Sequence, residues 1–240
     1  MTESPIAKTL NSHILIAGAT GTGKSYAVGG FVEELHKQRT PYIILDTKSQ
    51  NHLGLWLGKN RLKGLILERI FPNSTATVEQ YAEYLKKNKY VLFIPAGGTT
   101  IDHLTEEYIK IMQAVQRLEL PRHVIVEETH RYCRSANKAI PELDWIAQEG
   151  RGYKIWLWSI TQRIQKFPKD LWSNCAWTYA FHMRIPHDIR YFADILPEFE
   201  ELNTQLEKYD ILQYSHLQEI NPPYRIIKAG EIKRKTTHLG

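Results

Sequence analysis

The sequence predicts an α/β fold, a mainly parallel central sheet held between two helical layers. Two observations carry this. Apolar, β-branched runs such as "PYIILD", "KYVLFIP", "RHVIVEE" and "YKIWLWSIT" alternate with amphipathic stretches. Strands separated by helical segments need crossover connections, and crossovers make neighbouring strands parallel. The first such run, "HILI", also leads straight into "AGATGTGKSY" at residues 17–26, which fits G-x-x-x-x-G-K-[ST] without a mismatch.

Taken in order, "HILIAG" reads as a buried strand and "KSYAVGGFVEELHKQ" as the helix after it. "PYIILDTKSQ" is a strand ending in polar residues. Residues 51–77 read as irregular, with Gly54, Gly58, Gly64 and the basic cluster Lys59, Arg61, Lys63. "VEQYAEYLKKN" is a helix, "KYVLFIPAG" a strand, and a longer helix runs from about Asp102 to Leu118. After the strand "RHVIVEET", "NKAIPELDWIAQEGR" reads as a helix interrupted near Pro141. "YKIWLWSIT" and "CAWTYAFHM" are strands, "PHDIRYFADIL" a short helix, and "YDILQYS" with "YRIIKAG" a closing strand pair. Residues 1–240 read as one domain ending in a short basic tail, "EIKRKTTHLG", with no repeat and no linker.

Composition narrows the partners. The chain carries a formal charge of +5 and a pI near 9.0, which suits nucleic acid or an anionic membrane. Cys133 and Cys175 lie far apart and match no metal spacing, so both read as reduced thiols. No apolar run approaches the roughly eighteen residues a bilayer span needs, and "MTESPIAKTLNS" does not read as a signal peptide. The expectation is a soluble protein with no transmembrane segment of its own.

The glycine-rich loop carries the chemistry. Its glycines let the backbone curl so that successive N–H groups face phosphate oxygens, and the next helix adds its positive end. Gly18, Thr20, Gly21, Thr22, Gly23, Lys24, Ser25 and Tyr26 are therefore the predicted nucleotide-binding set, with Lys24 on the β/γ-phosphates and the Ser25 hydroxyl on Mg²⁺. Hydrolysis needs more: a second metal contact and a group to take a proton from water. Glu127 and Glu128 follow the buried run Val124, Ile125, Val126, at the strand edge where ligands bind in such sheets. Glu127 is the predicted metal contact and Glu128 the base. Gln162, just after "KIWLWSIT", would set an amide beside the γ-phosphate. Trp156 and Trp158 alternate on that strand and read as packing residues, whereas Trp56 lies in the irregular segment.

Together, "GATGTGKS", "ILDTKSQ", "VIVEETHR" and "EGRGYKIWLWSITQR" resemble the FtsK/HerA superfamily of DNA-pumping ATPases. An Asp-x-Lys after the second strand is matched by Asp46 and Lys48, and an acidic pair followed by His by Glu127, Glu128 and His130. Gly150, Arg151 and Gly152 lead into a strand ending Thr161, Gln162, Arg163. The resemblance covers roughly residues 10–185. Glu127 departs from it, since Asp is usual there. It implies a P-loop NTPase fold of RecA/FtsK type, a three-layer sandwich that uses ATP and Mg²⁺ and works as a homo-oligomeric ring on double-stranded DNA without regard to sequence. It also implies an arginine donated by a neighbour, for which Arg151 is the first choice and Arg163 the second. Pore-facing cations would come from Lys59, Arg61, Lys63 and from "HRYCRSANK" (His130, Arg131, Arg134, Lys138). The compact length is most similar to the genome-packaging ATPases of tailless, membrane-containing icosahedral viruses. That implies a capsid or portal-vertex partner, and a place in the host cytoplasm or at the packaging vertex of the virion. Two other readings stay open: a membrane-recruited ATPase of secretion or phage export, and, with less in its favour, a nucleotide kinase.

Overall fold

The apolar runs become strands because both of their faces are covered. In the computed structural model, which describes residues 6–135 and 138–239, every residue of β1 (Ile14–Ala17) and of β2 (Tyr42–Leu45) is buried. That is the condition of strands in a parallel sheet with layers on both sides. Between them lies α1 (Lys24–Lys37), and after them come β3 (Ile66–Ile70), α2 (Val78–Lys87), β4 (Tyr90–Pro95) and α3 (Ile101–Leu118). Next are β5 (Arg122–Val126), the small hairpin β6 (Cys133–Ser135) and β7 (Lys138–Ala139), α4 (Pro141–Gln148) and β8 (Ile155–Thr161). The chain closes with α5 (Lys169–Ser173), β9 (Trp177–Phe181), α6 (Pro186–Ala193), α7 (Phe199–Gln205), β10 (Ile211–Ser215) and β11 (Tyr224–Ile227).

Nine strands form one sheet in the order β11-β10-β9-β1-β8-β5-β2-β4-β3. The pairings from β9 across to β3 are parallel, and only those of β10 with β9 and β11 are antiparallel. β1 therefore sits between β8 and β9, with Ala17 level with Thr161 on one side and Ala180 on the other. This register brings the loop after β1 beside the ends of both neighbours.

The two faces are covered unequally. Alternate strand residues such as Leu15, Ile43, Phe93 and Val126 pack with α2 to α7. The opposite set, including Ile16, Ile44, Ile125 and Trp158, packs with α1. One helix cannot cover that face alone, and Ile6, Leu10, Leu55, Leu65 and Ile232 complete its core. Trp158 is fully buried and half-buried Trp56 packs on the same cluster, so Trp56 belongs to the core margin.

Two local expectations are corrected. Residues 51–77 are not wholly irregular, since they contain the edge strand β3, whose Glu68 and Arg69 break the apolar run. Charges on an edge strand are a common protection against stray pairing, and here they hide the strand. Pro141 begins α4 instead of interrupting it, because the first helical position needs no N–H. The basic tail packs against the domain. Lys235 N and Thr236 N donate to the Glu33 carboxylate, Arg234 Nη1 donates to Ser25 O, and Asn60 Nδ2 donates to Lys235 O. It forms a strap across α1. A Cβ on Gly54 would come within 1.9 Å of Thr237 O, so only glycine lets the strap lie this close.

Candidate functional site

The loop between β1 and α1 turns into the helix at Gly23, whose φ of 98° is a left-handed conformation that a residue with a Cβ adopts only under strain. Lys24 opens the helix, and its Nζ donates to Gly18 O and Ala19 O, each at 2.8 Å. Burial pushes this ammonium down to about 8, although the charges of Glu127 and Glu128 pull it back up. A cleft of about 720 Å³ opens over the loop, lined there by Thr20, Gly21, Gly23, Lys24, Ser25 and Tyr26. Glu127, Glu128 and Gln162 line it from the neighbouring strand ends. Two loop residues face elsewhere. Thr22 is buried with its hydroxyl donating to Ala19 O at 2.7 Å, so it braces the loop from within. Gly18 lines a smaller cavity on the other side, with Arg163 and Arg184.

The two glutamates have different surroundings. Glu127 is buried with its Oε1 2.5 Å from His52 Nε2, and the His52 backbone N–H donates to Asp46 Oδ2 at 3.1 Å. Burial would lower the His52 imidazole, but the Glu127 hydrogen bond and the charges of Glu127 and Asp46 outweigh it and raise it. Burial holds the Asp46 carboxyl above the ordinary carboxylate range, with His52 opposing the rise and Glu127 adding to it. Asp46, His52 and Glu127 thus lie together under the cleft, Asp46 bonded to the His52 backbone and Glu127 to its ring, which commits one oxygen of Glu127.

Glu128 turns the chain at φ 51°. Its Oε1 is 3.8 Å from Lys48 Nζ, and its Oε2 is 3.3 Å from His130 Nδ1 without hydrogen-bond geometry. Burial, then the charge of Glu127, raise this carboxyl above its usual range, against the pull of Lys48, Lys24 and Arg131. His130 is itself pushed down to about 4 by burial and by the charges of Arg131, Arg163 and Lys166. Its Nδ1 lies 3.0 Å from Thr161 Oγ1, which accepts from Arg163 N. Half-buried between Glu128 and Thr161, His130 is not one of the exposed basic groups it was grouped with.

Gln162 is joined to the loop, because Thr20 Oγ1 donates to its Oε1 at 2.5 Å. That uses the amide oxygen and leaves the NH₂ as the group it can offer.

Arg151 is not brought to the cleft. It is exposed in the turn before β8, beside His13, whose imidazole it helps to lower after burial. β8 is seven residues long, so its start lies about 20 Å from its Thr161 end. Arg163 is exposed at the near end. Lys59, Arg61 and Lys63 are exposed on one loop, as are Arg131 and Lys138 about the hairpin, while residues 136–137 of the "HRYCRSANK" stretch lie outside the described residues.

His52, Lys228 and Tyr209 were not singled out in the sequence. His52 meets Glu127 across 75 residues, and nothing local marks it. Only its place six residues beyond Asp46, in the loop after a strand ending on the cleft side, points to it.

Fold and loop together define the class, a P-loop NTPase with the phosphate loop at the β1–α1 turn. A family model described as the central domain of the helicase HerA matches residues 5–52, the stretch from before β1 to His52. No curated protein matches the chain in sequence. Among solved structures, the genome packaging NTPase B204 of Sulfolobus turreted icosahedral virus 2, in complex with ATP-gammaS, is 18% identical with a TM-score of 0.69. That match covers 91% of this chain and 97% of that one. VirB4 of Thermoanaerobacter pseudethanolicus is 10% identical with a TM-score of 0.66, covering 92% of this chain and 91% of that chain. The bacterial conjugative coupling protein TrwBdeltaN70 is 10% identical with a TM-score of 0.68, covering 99% and 88%. The resemblance to FtsK/HerA-type ATPases read from the motifs therefore extends to the fold.

Proposed function

We propose that this chain hydrolyses ATP and uses the energy to move double-stranded DNA, as the motor that packages a viral genome into a preformed capsid. One observation carries the reading. Lys24 at the start of α1 and Glu128 and Gln162 just beyond the ends of β5 and β8 line one cleft, as hydrolysis at a phosphate loop requires. The fold likeness to a viral genome packaging NTPase supports the DNA-moving half.

In this reading Lys24 leaves its two loop carbonyls for the β/γ-phosphates, and the loop N–H groups hold the remaining oxygens. Glu128 takes the proton from water. A carboxyl raised above its usual range holds a proton more tightly than an ordinary one, which suits a group that must accept one from water. The Gln162 NH₂ faces the γ-phosphate, and through Thr20 the amide can report its loss to the loop. The residues fit Mg²⁺. Among the described residues there is no group of three or more His, Cys, Asp or Glu to cage a metal, but this ion keeps several waters and takes only one or two protein oxygens. Ser25 Oγ and the second Glu127 oxygen would hold it, with Glu127 aligned by His52. When bound, the ion offsets charge on the β- and γ-oxygens.

The cation for the transferred phosphoryl group comes from a neighbour in a ring, and Arg151 supplies it. Exposed and far from its own loop, it is free to face the next subunit. DNA is held by its phosphates along Lys59, Arg61 and Lys63, beside which the strap sets exposed Lys233 and Lys235. The capsid or portal vertex is the docking partner, in the host cytoplasm or at the virion vertex. No helix among the described residues is long and apolar enough to cross a membrane. A membrane-recruited assembly ATPase is the second reading, favoured by the fold likeness to a bacterial conjugative coupling protein. The test is ATP turnover with and without duplex DNA, alongside particle size with nucleotide present. Duplex should raise turnover of an oligomer; turnover that DNA leaves unmoved would overturn the packaging reading.

A further inference from the structure

The cleft has a second half that phosphates do not need. Away from the loop its walls are Phe181, Tyr209, Ile211, Ala229, Ile232 and His238, an apolar and aromatic set contributed mostly by the last 32 residues. Tyr209 stands out within it. The residue is 49% exposed, and its backbone sits at φ 76°, a conformation costly for a bulky residue.

The surroundings hold it there. Next to it, Asp210 is buried and accepts from Glu207 N, from Lys228 Nζ at 2.8 Å and from Ala229 N at 2.9 Å. These bonds staple the Tyr209 turn to the segment that begins the strap. Lys208 Nζ lies 4.9 Å from the centre of the Tyr209 ring and occupies one of its faces. The ring edge meets the loop, with Cδ1 3.0 Å from where a Cβ on Gly23 would stand. Opposite, Arg234 latches the strap to the first turn of α1. Its Nη1 donates to Ser25 O at 3.1 Å and lies 3.2 Å from His238 Nδ1. His238 then packs edge-on against Tyr26 with ring centres 5.7 Å apart.

We infer that Tyr209 and the strap from Ala229 to His238 form the nucleobase subsite, in which the base of a nucleoside triphosphate stacks on the free face of Tyr209. This rests on the reading that Gly18–Ser25 holds the triphosphate, and it adds which residues hold the rest of the nucleotide. The geometry is consistent end to end. With the β- and γ-phosphates at Lys24, the α-phosphate and sugar run past Ser25 and Tyr26 towards Tyr209 and His238. The strap is then part of the binding site, which explains why Glu33, Ser25 and Gly54 are spent on holding it down.

The test compares two ligands in the full chain. ATP has a base and inorganic tripolyphosphate has none, and both are titrated by calorimetry into wild type, Tyr209→Gly and Tyr209→Phe. Glycine accepts φ 76° without strain, so Tyr209→Gly removes the ring and keeps the turn. Loss of one aromatic stacking partner should weaken ATP about tenfold to hundredfold, and leave tripolyphosphate within about twofold. Tyr209→Phe should bind ATP as wild type does. Tyr209→Gly binding ATP normally, or losing both ligands equally, would overturn the inference while leaving the phosphate-loop reading intact. Wild-type protein that binds neither ligand would overturn both.

Discussion

Raising the pH from 7 to 9 should release nucleotide from this protein by discharging Lys24. In the free protein burial brings this ammonium to about 8, from an ordinary value of 10.5. A bound triphosphate places negative charge against it and raises it again, so binding takes up a proton. Affinity that depends on the charged form is complete below the free-state value. It is lost as pH climbs from about 8 towards the higher bound-state value, and above that it levels off. At pH 7 about nine-tenths of the free protein carries the charge, and at pH 9 about one-tenth, so the Kd for ATP should rise about tenfold. A lysine titrating at its usual value would give almost no change over that range. The assay is ATP titration from pH 7 to 9.5, repeated in buffers of different ionisation enthalpy so that proton uptake is counted directly. Lys24→Arg supplies the control, since a guanidinium stays charged throughout. Its affinity will be lower, but its pH profile should be flat. A constant Kd in wild type, or the same slope in Lys24→Arg, would refute the argument that a buried, discharging lysine holds the phosphates.

Glu128→Gln should bind ATP at close to wild-type affinity and turn it over at least about a hundredfold more slowly, because an amide cannot accept the proton from water. Arg151→Ala should likewise bind and not cleave. Mixing the two variants should restore partial turnover, since some interfaces then pair an intact base with an intact arginine; no recovery in proven mixed oligomers would reject Arg151 and leave Arg163. Replacing Lys59, Arg61 and Lys63 together should flatten the dependence of DNA affinity on salt, each lost phosphate contact removing about 0.9 from the log–log slope. A slope that stays as steep would take this loop off the DNA path.

Much of the cleft was written in local order. The loop lies within ten consecutive residues, and its glycines, lysine and hydroxyl act through backbone geometry that neighbours impose on one another. Glu127, Glu128 and Gln162 were legible for a related reason. Each follows a run of buried residues, and in a parallel sheet the end of such a run is where ligands bind. The register then delivers what the motifs imply, with Ala17 level with Thr161. β3 was not legible, because an edge strand with charges on it loses the pattern that reveals a strand.

The remainder depended on residues that meet only when the chain is folded. His52 reaches Glu127 across 75 positions, and a buried histidine beside a carboxylate leaves no mark on the residues next to it in sequence. Nothing next to Tyr209 in sequence records that Asp210 staples its turn to Lys228 and Ala229. The tail is the plainest instance. Its composition is that of a solvated basic end, and local propensity has no means of recording that α1 leaves part of a nine-stranded sheet uncovered. Motif chemistry follows from nearest neighbours and is present in the sequence. Burial, and the charge states and cleft walls that burial creates, follow from which surfaces are left over once the layers have packed, and only the tertiary structure decides that.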